Sequence, residues 1–239
     1  MELVTGGAGF IGSHLVDALV AQGKRVRVLD NFSSGREEFL AHHGEQVEVV
    51  RADLLDLDAT KAAMEGVETV HHMAANPDIR LGTEVTDTDL RQGTVATYNV
   101  LEAMRSAGVS RISFSSSSAI YGEADVMPTP ETYGPIKPIS LYGASKLASE
   151  GLISAWCGTF GAKSWIHRFA NIVGPRGTHG VIFDFIHKLK ADPTRLEVLG
   201  NGLQEKSYMS AEDCVRAMVH LVDETDEAVN LYNLGTGDT

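Results

Sequence analysis

Residues 5–12 read Thr-Gly-Gly-Ala-Gly-Phe-Ile-Gly, and this stretch decides the fold. It follows a short apolar run and opens a segment with the apolar spacing of a helix. Gly6 permits a tight turn, Gly9 lets the backbone approach a phosphate, and Gly12 lets the helix pack closely on the strand. The amides of the helix N-terminus then face the bound anion. The stretch therefore predicts a loop that binds the pyrophosphate of a dinucleotide.

The ends of the next predicted strands carry side chains suited to the rest of a dinucleotide. Asp30 stands 18 residues past the last glycine of the loop, where a carboxylate accepts from both ribose hydroxyls and repels a 2′-phosphate. This favours NAD over NADP. Asp53 ends the third strand, where it can contact adenine, or it serves as N-cap of the helix predicted at 56–64. Small side chains at the end of the fourth strand, Ala74 and Ala75, let a cofactor lie against the sheet edge.

Short apolar runs alternate with segments of helical period along most of the chain. The predicted strands are Glu2–Thr5, Arg25–Asp30, Val47–Asp53, Thr69–Ala75, Arg111–Ser117, Lys163–Val173, Leu196–Leu199 and Val229–Leu234. The predicted helices are Ile11–Ala21, Asp56–Met64, Thr88–Ala107, Leu141–Phe160, Val181–Lys190 and Ala211–Val222. Because the strands are almost continuously apolar, we expect a parallel sheet covered on both faces. The fold class is therefore α/β, a Rossmann-type doubly wound parallel sheet, with Pro- and Gly-rich loops at 127–138 and 174–180.

The composition excludes several classes of protein. The 239 residues are 43% hydrophobic, and 32 acidic against 20 basic residues give a net charge of −12, which argues against nucleic acid and anionic membranes as partners. No run approaches the roughly 18 apolar residues of a membrane span. Met1 leads directly into a strand, and Cys157 and Cys214 form no disulfide framework. We therefore expect a cytoplasmic protein.

A tyrosine and a lysine four residues apart, Tyr142 and Lys146, fall on one face of a predicted helix. A lysine beside a phenol favours the phenolate, so we expect Lys146 to lower the pKa of Tyr142 towards neutrality, as a general acid/base requires. Four serines, 115–118, follow a strand at the carboxyl edge of the sheet, where such sheets bind ligands. One of them can hydrogen-bond a substrate oxygen, and we expect ordinary turn chemistry for at least two.

Five motifs together, TGGAGFIG, Asp30-Asn31, FSSSSAIYG, YGASK and RFANIVGPR, resemble the extended short-chain dehydrogenase/reductase family. Within it the chain is most similar to the nucleotide-sugar epimerases of the UDP-glucose (UDP-galactose) 4-epimerase type. The resemblance implies Tyr142 as catalytic acid/base and Lys146 as its pKa partner and ligand of the nicotinamide ribose. It also implies that Ser117, four residues before Tyr121, hydrogen-bonds the substrate oxygen.

The loop, the strand ends and the resemblance together define the expected ligand contacts. For NAD these are Gly6, Gly9, Phe10, Ile11, Gly12, Asp30, Asn31, Ser33, Ser34, Gly35, Asp53, Leu54, Ala74, Ala75, Tyr142 and Lys146. For a UDP-sugar substrate they are Ser117, Asn171, Val181, Leu196 and Lys206. Lys206 stands where many relatives carry an Arg, so it keeps the charge but loses bidentate phosphate recognition. Gly93 replaces a common Asn, which predicts looser hydrogen bonding at the active site.

The residues after Ser117 bear on the reaction. In related dehydratases an Asp and a Glu follow the catalytic Thr, and in UDP-glucuronate decarboxylases a Glu takes the second place, whereas this chain has Ser118 and Ala119. The resemblance therefore implies an isomerase that epimerises C4 of a UDP-hexose through a 4-keto sugar. Epimerisation of UDP-N-acetylglucosamine or a UDP-uronic acid stays open. A non-catalytic NAD-sensing or RNA-associated role also stays open, although the intact Tyr, Lys and Ser and the acidic charge argue against it.

The organisation of the chain follows from the same resemblance. Residues 1–165 are expected to form the NAD-binding domain, and 166–239 a small, incomplete nucleotide-sugar-binding subdomain interleaved with the last strands of the sheet. Relatives continue beyond the stretch 233–237, which implies a truncated or naturally short member. The family also implies a homodimer through the helices at 88–107 and 141–160.

Two histidine pairs raise the question of a metal. They are His42-His43 and His71-His72. Adjacent histidines in an extended strand point to opposite faces, so we predict no metal site.

Overall fold

The computed structural model describes residues 1–178, 180–198 and 206–236, and strands alternate with helices along them. The strands are β1 (Glu2–Thr5), β2 (Val26–Asp30), β3 (Val47–Arg51), β4 (Thr69–His72), β5 (Arg111–Ser117), β6 (Lys163–Phe169), β7 (Asn171–Val173), β8 (Tyr208–Ser210) and β9 (Val229–Leu234). The α-helices are α1 (Phe10–Ala21), α2 (Leu57–Ala63), α3 (Leu81–Glu84), α4 (Ala96–Ala107), α5 (Leu141–Phe160), α6 (Val181–Ala191) and α7 (Ala211–Glu224).

A seven-stranded parallel sheet in the order β3-β2-β1-β4-β5-β6-β9 forms the centre of the molecule. The chain winds from β1 to one edge and returns to β4 on the other side of β1, so the strand order reverses beside the glycine loop. One core cluster includes buried residues of α2, α4 and α5, and a second includes those of α1 and α7. The predicted doubly wound α/β class is therefore confirmed.

The predicted elements match the structure closely except near the ligand-binding edge. The segment 163–173 is two strands, because the chain leaves the main sheet at Ala170 and β7 pairs with β8 instead. The described part of the predicted strand 196–199 has no strand, and Leu199 lies outside the described residues. The predicted helix 88–107 begins with a π-helical turn, Leu90–Val95, before α4. In the part of the chain that the structure describes, no helix combines the length and hydropathy that crossing a bilayer requires.

Two buried histidines make the fold sensitive to acid. Burial lowers the pKa of His72 and of His167 from 6.5 to about 3. His72 lies between the hydroxyls of Thr5 (2.7 Å) and Thr97 (3.1 Å). The unfolded chain takes up protons at these side chains below pH 6.5 and the folded chain does not until about pH 3. Stability is therefore complete above pH 6.5 and falls as the pH falls through this window.

We expect each histidine to cost about 2 kcal/mol of unfolding free energy at about pH 5 relative to neutral pH. Urea unfolding at both pH values measures the loss. In His167→Asn the difference between the two pH values should shrink, whereas exposed His220→Asn should keep it. An unfolding free energy that is the same at both pH values in the parent protein would contradict this account.

Candidate active site

The glycine loop has the backbone geometry that the sequence predicts. Gly6 has φ +67°, and a Cβ atom there would lie 2.7 Å from the Cα of Ala74. A Cβ at Gly12 would lie 2.1 Å from the carbonyl oxygen of Gly6. Helix α1 starts after Gly9 with no side-chain cap and no acidic residue in its first turn. Its N-terminus is therefore free to bind an anion.

Asp30 at the end of β2 is held by the glycine loop. Its Oδ2 accepts from the amide of Ala8 (3.0 Å), and its Oδ1 accepts from the amide of Phe32 (2.8 Å). A Cβ at Gly35 would lie 2.9 Å from that Oδ1, so Gly35 lets its loop pack against the carboxylate. The carboxylate is thus oriented at the mouth of the cleft described below.

Asp53 lies beside Asn31, the residue after Asp30, and accepts two hydrogen bonds. Its Oδ2 accepts from the side-chain amide of Asn31 (2.9 Å), and its Oδ1 accepts from the amide of Leu55 (2.8 Å). The N-cap of α2 is Asp56, whose side chain accepts from the two amides of the first turn. The alternative role of Asp53 as helix cap is therefore wrong.

A cleft of about 1070 Å³ runs over the carboxyl ends of β1, β2, β4 and β5 and is bounded by β7 and α6. The predicted residues that line it are Gly6, Gly9, Phe10, Ile11, Gly12, Asp30, Asn31, Ser33, Ser34, Asp53, Leu54, Ala74, Ala75, Ser117, Tyr142, Lys146, Asn171 and Val181. Three predicted residues do not line it: Gly35, Leu196 and Lys206. Between the last two, residues 199–205 lie outside the described part of the chain.

Sequence reasoning missed part of the lining, namely Asn76, Ile79, Leu81, Thr88, Gln92, Arg176 and Tyr208. Most of these residues lie between β4 and α4 or just after β7. Arg176 belongs to the RFANIVGPR motif, which singled it out without giving it a role. The others carry no local pattern, because the tertiary fold alone brings their segments to the cleft.

Two elements, β5 and α5, bring the catalytic candidates together. Ser117 ends β5, and its hydroxyl lies beside the phenol of Tyr142 in the first turn of α5. Lys146, one turn later, donates from Nζ to the carbonyl oxygen of Ser115 (2.5 Å), and this Nζ lies 5.7 Å from the centre of the Tyr142 ring. The Ser140 side chain caps α5 by accepting from Gly143 (3.0 Å). The predicted triad is therefore assembled at one end of the cleft.

The consecutive serines have separate contacts. Ser115 donates to the carbonyl oxygen of His72 (3.2 Å), and Ser116 donates to Glu150 Oε1 (2.5 Å). Ser117 makes the expected kind of turn contact by accepting from the amide of Ala119 (3.1 Å), and Ser118 begins a 3-10 turn. Because β5 extends to Ser117, the side chains of Ser115 and Ser116 reach other elements instead of their own turn.

The electrostatics of the triad differ from the prediction. Burial raises the pKa of Tyr142 to about 12. The neighbouring hydroxyl of Ser117 opposes this rise, and the charge of Asp89 adds to the rise. Burial lowers the pKa of Lys146 to about 7, against the charges of Glu150 and Asp89. The prediction that Lys146 lowers the pKa of Tyr142 is therefore wrong when only the groups of this chain act on the phenol. Burial is the largest cause of the raised Tyr142 pKa, and burial also lowers the pKa of Lys146, which weakens its positive charge at neutral pH.

A buried ion pair lies next to the end of the cleft that holds Tyr142 and Lys146. Glu150 lies one turn beyond Lys146 on α5 and pairs with Arg168 of β6 through Oε2–Nη2 (2.8 Å) and Oε1–Nε (3.0 Å). Arg168 also donates to the phenol oxygen of Tyr121 (2.8 Å). Both charged side chains are under 10% exposed. The pair ties α5 to the sheet one turn beyond Lys146.

The glycine at 93 has a structural explanation. A Cβ atom at Gly93 would lie 2.7 Å from the hydroxyl oxygen of Ser145 and 2.9 Å from its Cβ. That hydroxyl donates to the carbonyl oxygen of Tyr142 (2.8 Å). Ser145 therefore occupies the space beside Gly93, and a side chain at position 93 would collide with it unless the π-helical turn and α5 moved apart.

Comparison with known proteins agrees with this geometry. The family model of the NAD dependent epimerase/dehydratase family matches residues 2–235. The Putative UDP-glucose 4-epimerase of Methanocaldococcus jannaschii is 36% identical over 99% of this chain and 77% of its own. A crystal structure of UDP-galactose 4-epimerase has a TM-score of 0.90 and 45% identity, covering 99% of this chain and 77% of that one.

The UDP-glucose 4-epimerase of Thermus thermophilus, solved as a complex with NAD, has a TM-score of 0.87 and 32% identity over 99% of this chain and 78% of that one. The glycine cradle and the carboxylate of Asp30 fit the same cofactor. This chain therefore belongs to the NAD dependent epimerase/dehydratase family, as an NAD-dependent enzyme of the extended short-chain dehydrogenase/reductase type.

Proposed function

We propose that the protein interconverts UDP-galactose and UDP-glucose by epimerisation at C4. The observation that carries this proposal is that Ser117, Tyr142 and Lys146 lie side by side at the end of a cleft lined by the glycine loop. The cleft volume of about 1070 Å³ lies at the upper end of small-molecule sites, as a cofactor and substrate side by side require. The names of the similar proteins support the same reaction.

The residues of the chain move a proton and hold the sugar. Tyr142 takes the proton of the C4 hydroxyl as hydride leaves C4, and it returns the proton after the 4-keto sugar has turned over. Ser117 donates to the C4 oxygen throughout, and Lys146 holds the ribose beside the nicotinamide. NAD, when bound, accepts the hydride and gives it back, and its positive ring favours the phenolate of Tyr142. The cofactor is regenerated in each cycle, so tight retention is expected.

The charge distribution in the cleft supports epimerisation over elimination or decarboxylation. Among the described lining residues the acidic ones are Asp30 and Asp53, both at the end of the cleft formed by β2 and β3. The positions after Ser117 are occupied by Ser118 and Ala119 in a 3-10 turn. Among the described lining residues, none at the end of the cleft that holds Tyr142 is a carboxylate that dehydration could use as acid or base. Asp89, whose charge raises the pKa of Tyr142, is buried and does not line the cleft.

Fewer observations support the proposed substrate contacts than support the NAD contacts. Asn171 and Val181 line it from β7 and α6, and Asn171 also donates to the carbonyl oxygen of Ser207 (3.1 Å). We propose these two residues as UDP-sugar contacts.

The division of the chain into an NAD-binding domain, residues 1–165, and a partial substrate subdomain, residues 166–239, remains a proposal.

The test is to incubate the protein with UDP-galactose, UDP-glucose, UDP-N-acetylglucosamine and UDP-glucuronate separately. We expect C4 epimers from the first two without added reductant. Turnover of only the acetylated or acidic sugars would reassign the substrate. The absence of any epimer, with NAD still bound, would favour the non-catalytic alternative.

Asp30 should make the protein selective for NAD. We expect NADP to bind at least about tenfold more weakly, because its 2′-phosphate meets a carboxylate in place of two ribose hydroxyls. The isosteric variant Asp30→Asn should bring the dissociation constants for NAD and NADP closer together, mainly because it weakens NAD binding. The control Asp56→Asn, which does not line the cleft, should leave the ratio of the two constants unchanged. Calorimetric titration with both cofactors gives the ratio. Equal affinities in the parent protein would contradict the role of Asp30.

A homodimer through α4 and α5 remains a proposal, supported by the aromatic side chains on these helices. The ring of Trp156 lies 6.2 Å from that of Tyr98 and 4.7 Å from that of Phe160. Tyr98 and Phe160 are 44% and 53% exposed, as the anchors of a subunit interface would be in one protomer. Sedimentation should show a dimer that Trp156→Glu dissociates, and a monomeric parent protein would overturn the proposal.

The cytoplasmic location is also a proposal. It is supported by Cys157 and Cys214, which are both buried and free. Reduced thiols are typical of that compartment. The absence of a nucleic-acid partner is proposed on the net charge of −12.

A further inference from the structure

A cluster of possible metal ligands lies outside the catalytic end of the cleft. His42 and His43 belong to a short 3-10 segment, Ala41–Gln46, and not to an extended strand. Their Nε2 atoms lie 3.0 and 2.7 Å from the same atom, Oδ1 of Asp17 in α1. The expectation that these two histidines point apart is therefore wrong.

The other histidine pair does follow the expectation. His71 and His72 lie in β4, where His71 Nε2 lies 3.1 Å from Oε2 of Glu2 and His72 contacts the hydroxyls of Thr5 and Thr97. These partners lie on opposite faces of the sheet. The two pairs differ because a tight helical turn brings adjacent side chains together and a pleated strand separates them.

We propose that Asp17, His42 and His43 bind a divalent transition-metal ion of the Zn²⁺ class. Two imidazole nitrogens and one carboxylate oxygen form a ligand set that zinc takes in proteins, with water in the fourth position. One ligand atom from each residue lies within 4.8 Å of the others. Tetrahedral coordination at about 2.1 Å separates ligands by about 3.4 Å, so the two nitrogens need to withdraw from Oδ1 by less than an ångström. His42 can do so, because its side chain is half exposed.

The orientation of the carboxylate supports the site. Arg176 Nη1 lies 2.8 Å from Asp17 Oδ2, so one oxygen of Asp17 is held by the guanidinium while the other faces the two histidines. Carboxylates that bind metals are commonly held in this way by a second partner. The guanidinium also packs 5.9 Å from the ring centre of Phe39. The carboxylate is thus preorganised with Oδ1 towards the imidazoles.

The hydrogen bonding of these three side chains also favours a metal. Without an ion, both imidazoles have to donate an Nε2 proton to one oxygen to make the two short contacts. A single divalent ion contacts all three ligand atoms at once, and the two Nε2 protons pass to the Nδ1 atoms or to solvent.

The test is titration with Zn²⁺ alone of the full chain without a polyhistidine tag, after removal of metal by a chelator. Calorimetry should show one saturable site per chain, and Co²⁺ should give a visible spectrum of nitrogen coordination. Half-exposed His42→Asn and largely buried His43→Asn should each weaken binding at least about tenfold. The control His220→Asn, exposed on α7, should bind as the parent does.

No saturable binding at submillimolar Zn²⁺ would overturn the proposal. So would equal affinities of the parent, His42→Asn and His43→Asn proteins, because the ion would then sit elsewhere. Circular dichroism of each variant shows that it is folded. The readout is metal binding and not turnover, so the result stands whether or not the protein is an epimerase.

Discussion

Tyr142→Phe should lower kcat for UDP-galactose by about a thousandfold and leave NAD bound. Loss of a positioned acid/base typically costs about 10²–10⁴ in rate, and in the proposed reaction the phenol oxygen exchanges the C4 proton. The effect should be in kcat, because the ring of Tyr142 stays to line the cleft. Burial raises the pKa of this phenol to about 12. The phenolate therefore depends on positive charge nearby, and Lys146→Met should also lower kcat.

Two measurements separate this role from a structural one. Acid release of the bound nucleotide from purified protein should give the same amount of NAD for the parent and for Tyr142→Phe. The matched control is Tyr133→Phe, which should keep the parental rate, because this ring packs edge to face against Tyr121 and does not line the cleft. A Tyr142→Phe protein with half of the parental kcat would rule out proton transfer by this residue.

Glu150→Gln should cost about 3–5 kcal/mol of unfolding free energy, because it leaves the buried guanidinium of Arg168 without a counter-charge. The substitution keeps the shape of the side chain and removes only the charge and one acceptor. The two bonds to Arg168 and the bond from Ser116 then lose their ionic partner.

Urea unfolding measures this loss, and the exposed pair Glu102–Arg105 on α4 provides the control. Glu102→Gln should change stability little, because exposed ion pairs contribute little. A double variant, Glu150→Met with Arg168→Met, should lose less than the sum of the two single variants, since neither charge is left alone. Equal stability of Glu150→Gln and the parent would contradict the buried ion pair.

The parts of the site that the sequence predicts are those that local rules determine. The loop at residues 5–12 and the spacing of Tyr142 and Lys146 depend on neighbours within one or two turns. The structure places them as expected, at the end of β1 and in the first turns of α5. Asp30 is similar, because a parallel strand that ends beside β1 brings its last residue to the loop.

The parts that the sequence does not predict depend mostly on long-range packing. Nothing local marks Ala170 as the point where the chain leaves the sheet, because the break follows from pairing of β7 with the distant β8. The pKa of Tyr142 depends on burial by several elements, which a Tyr–Lys spacing does not report. The pair His42 and His43 escapes prediction for a local reason, since an apolar pattern does not distinguish a short 3-10 turn from an extended segment.

The most direct test of the central claim is the reaction of UDP-galactose in deuterium oxide, followed by NMR of the sugar. Hydride that leaves C4 for NAD and returns to the other face never exchanges with solvent. We therefore predict UDP-glucose with hydrogen retained at C4, formed without added reductant. Deuterium at C4, or no epimer from protein that carries NAD, would contradict the account.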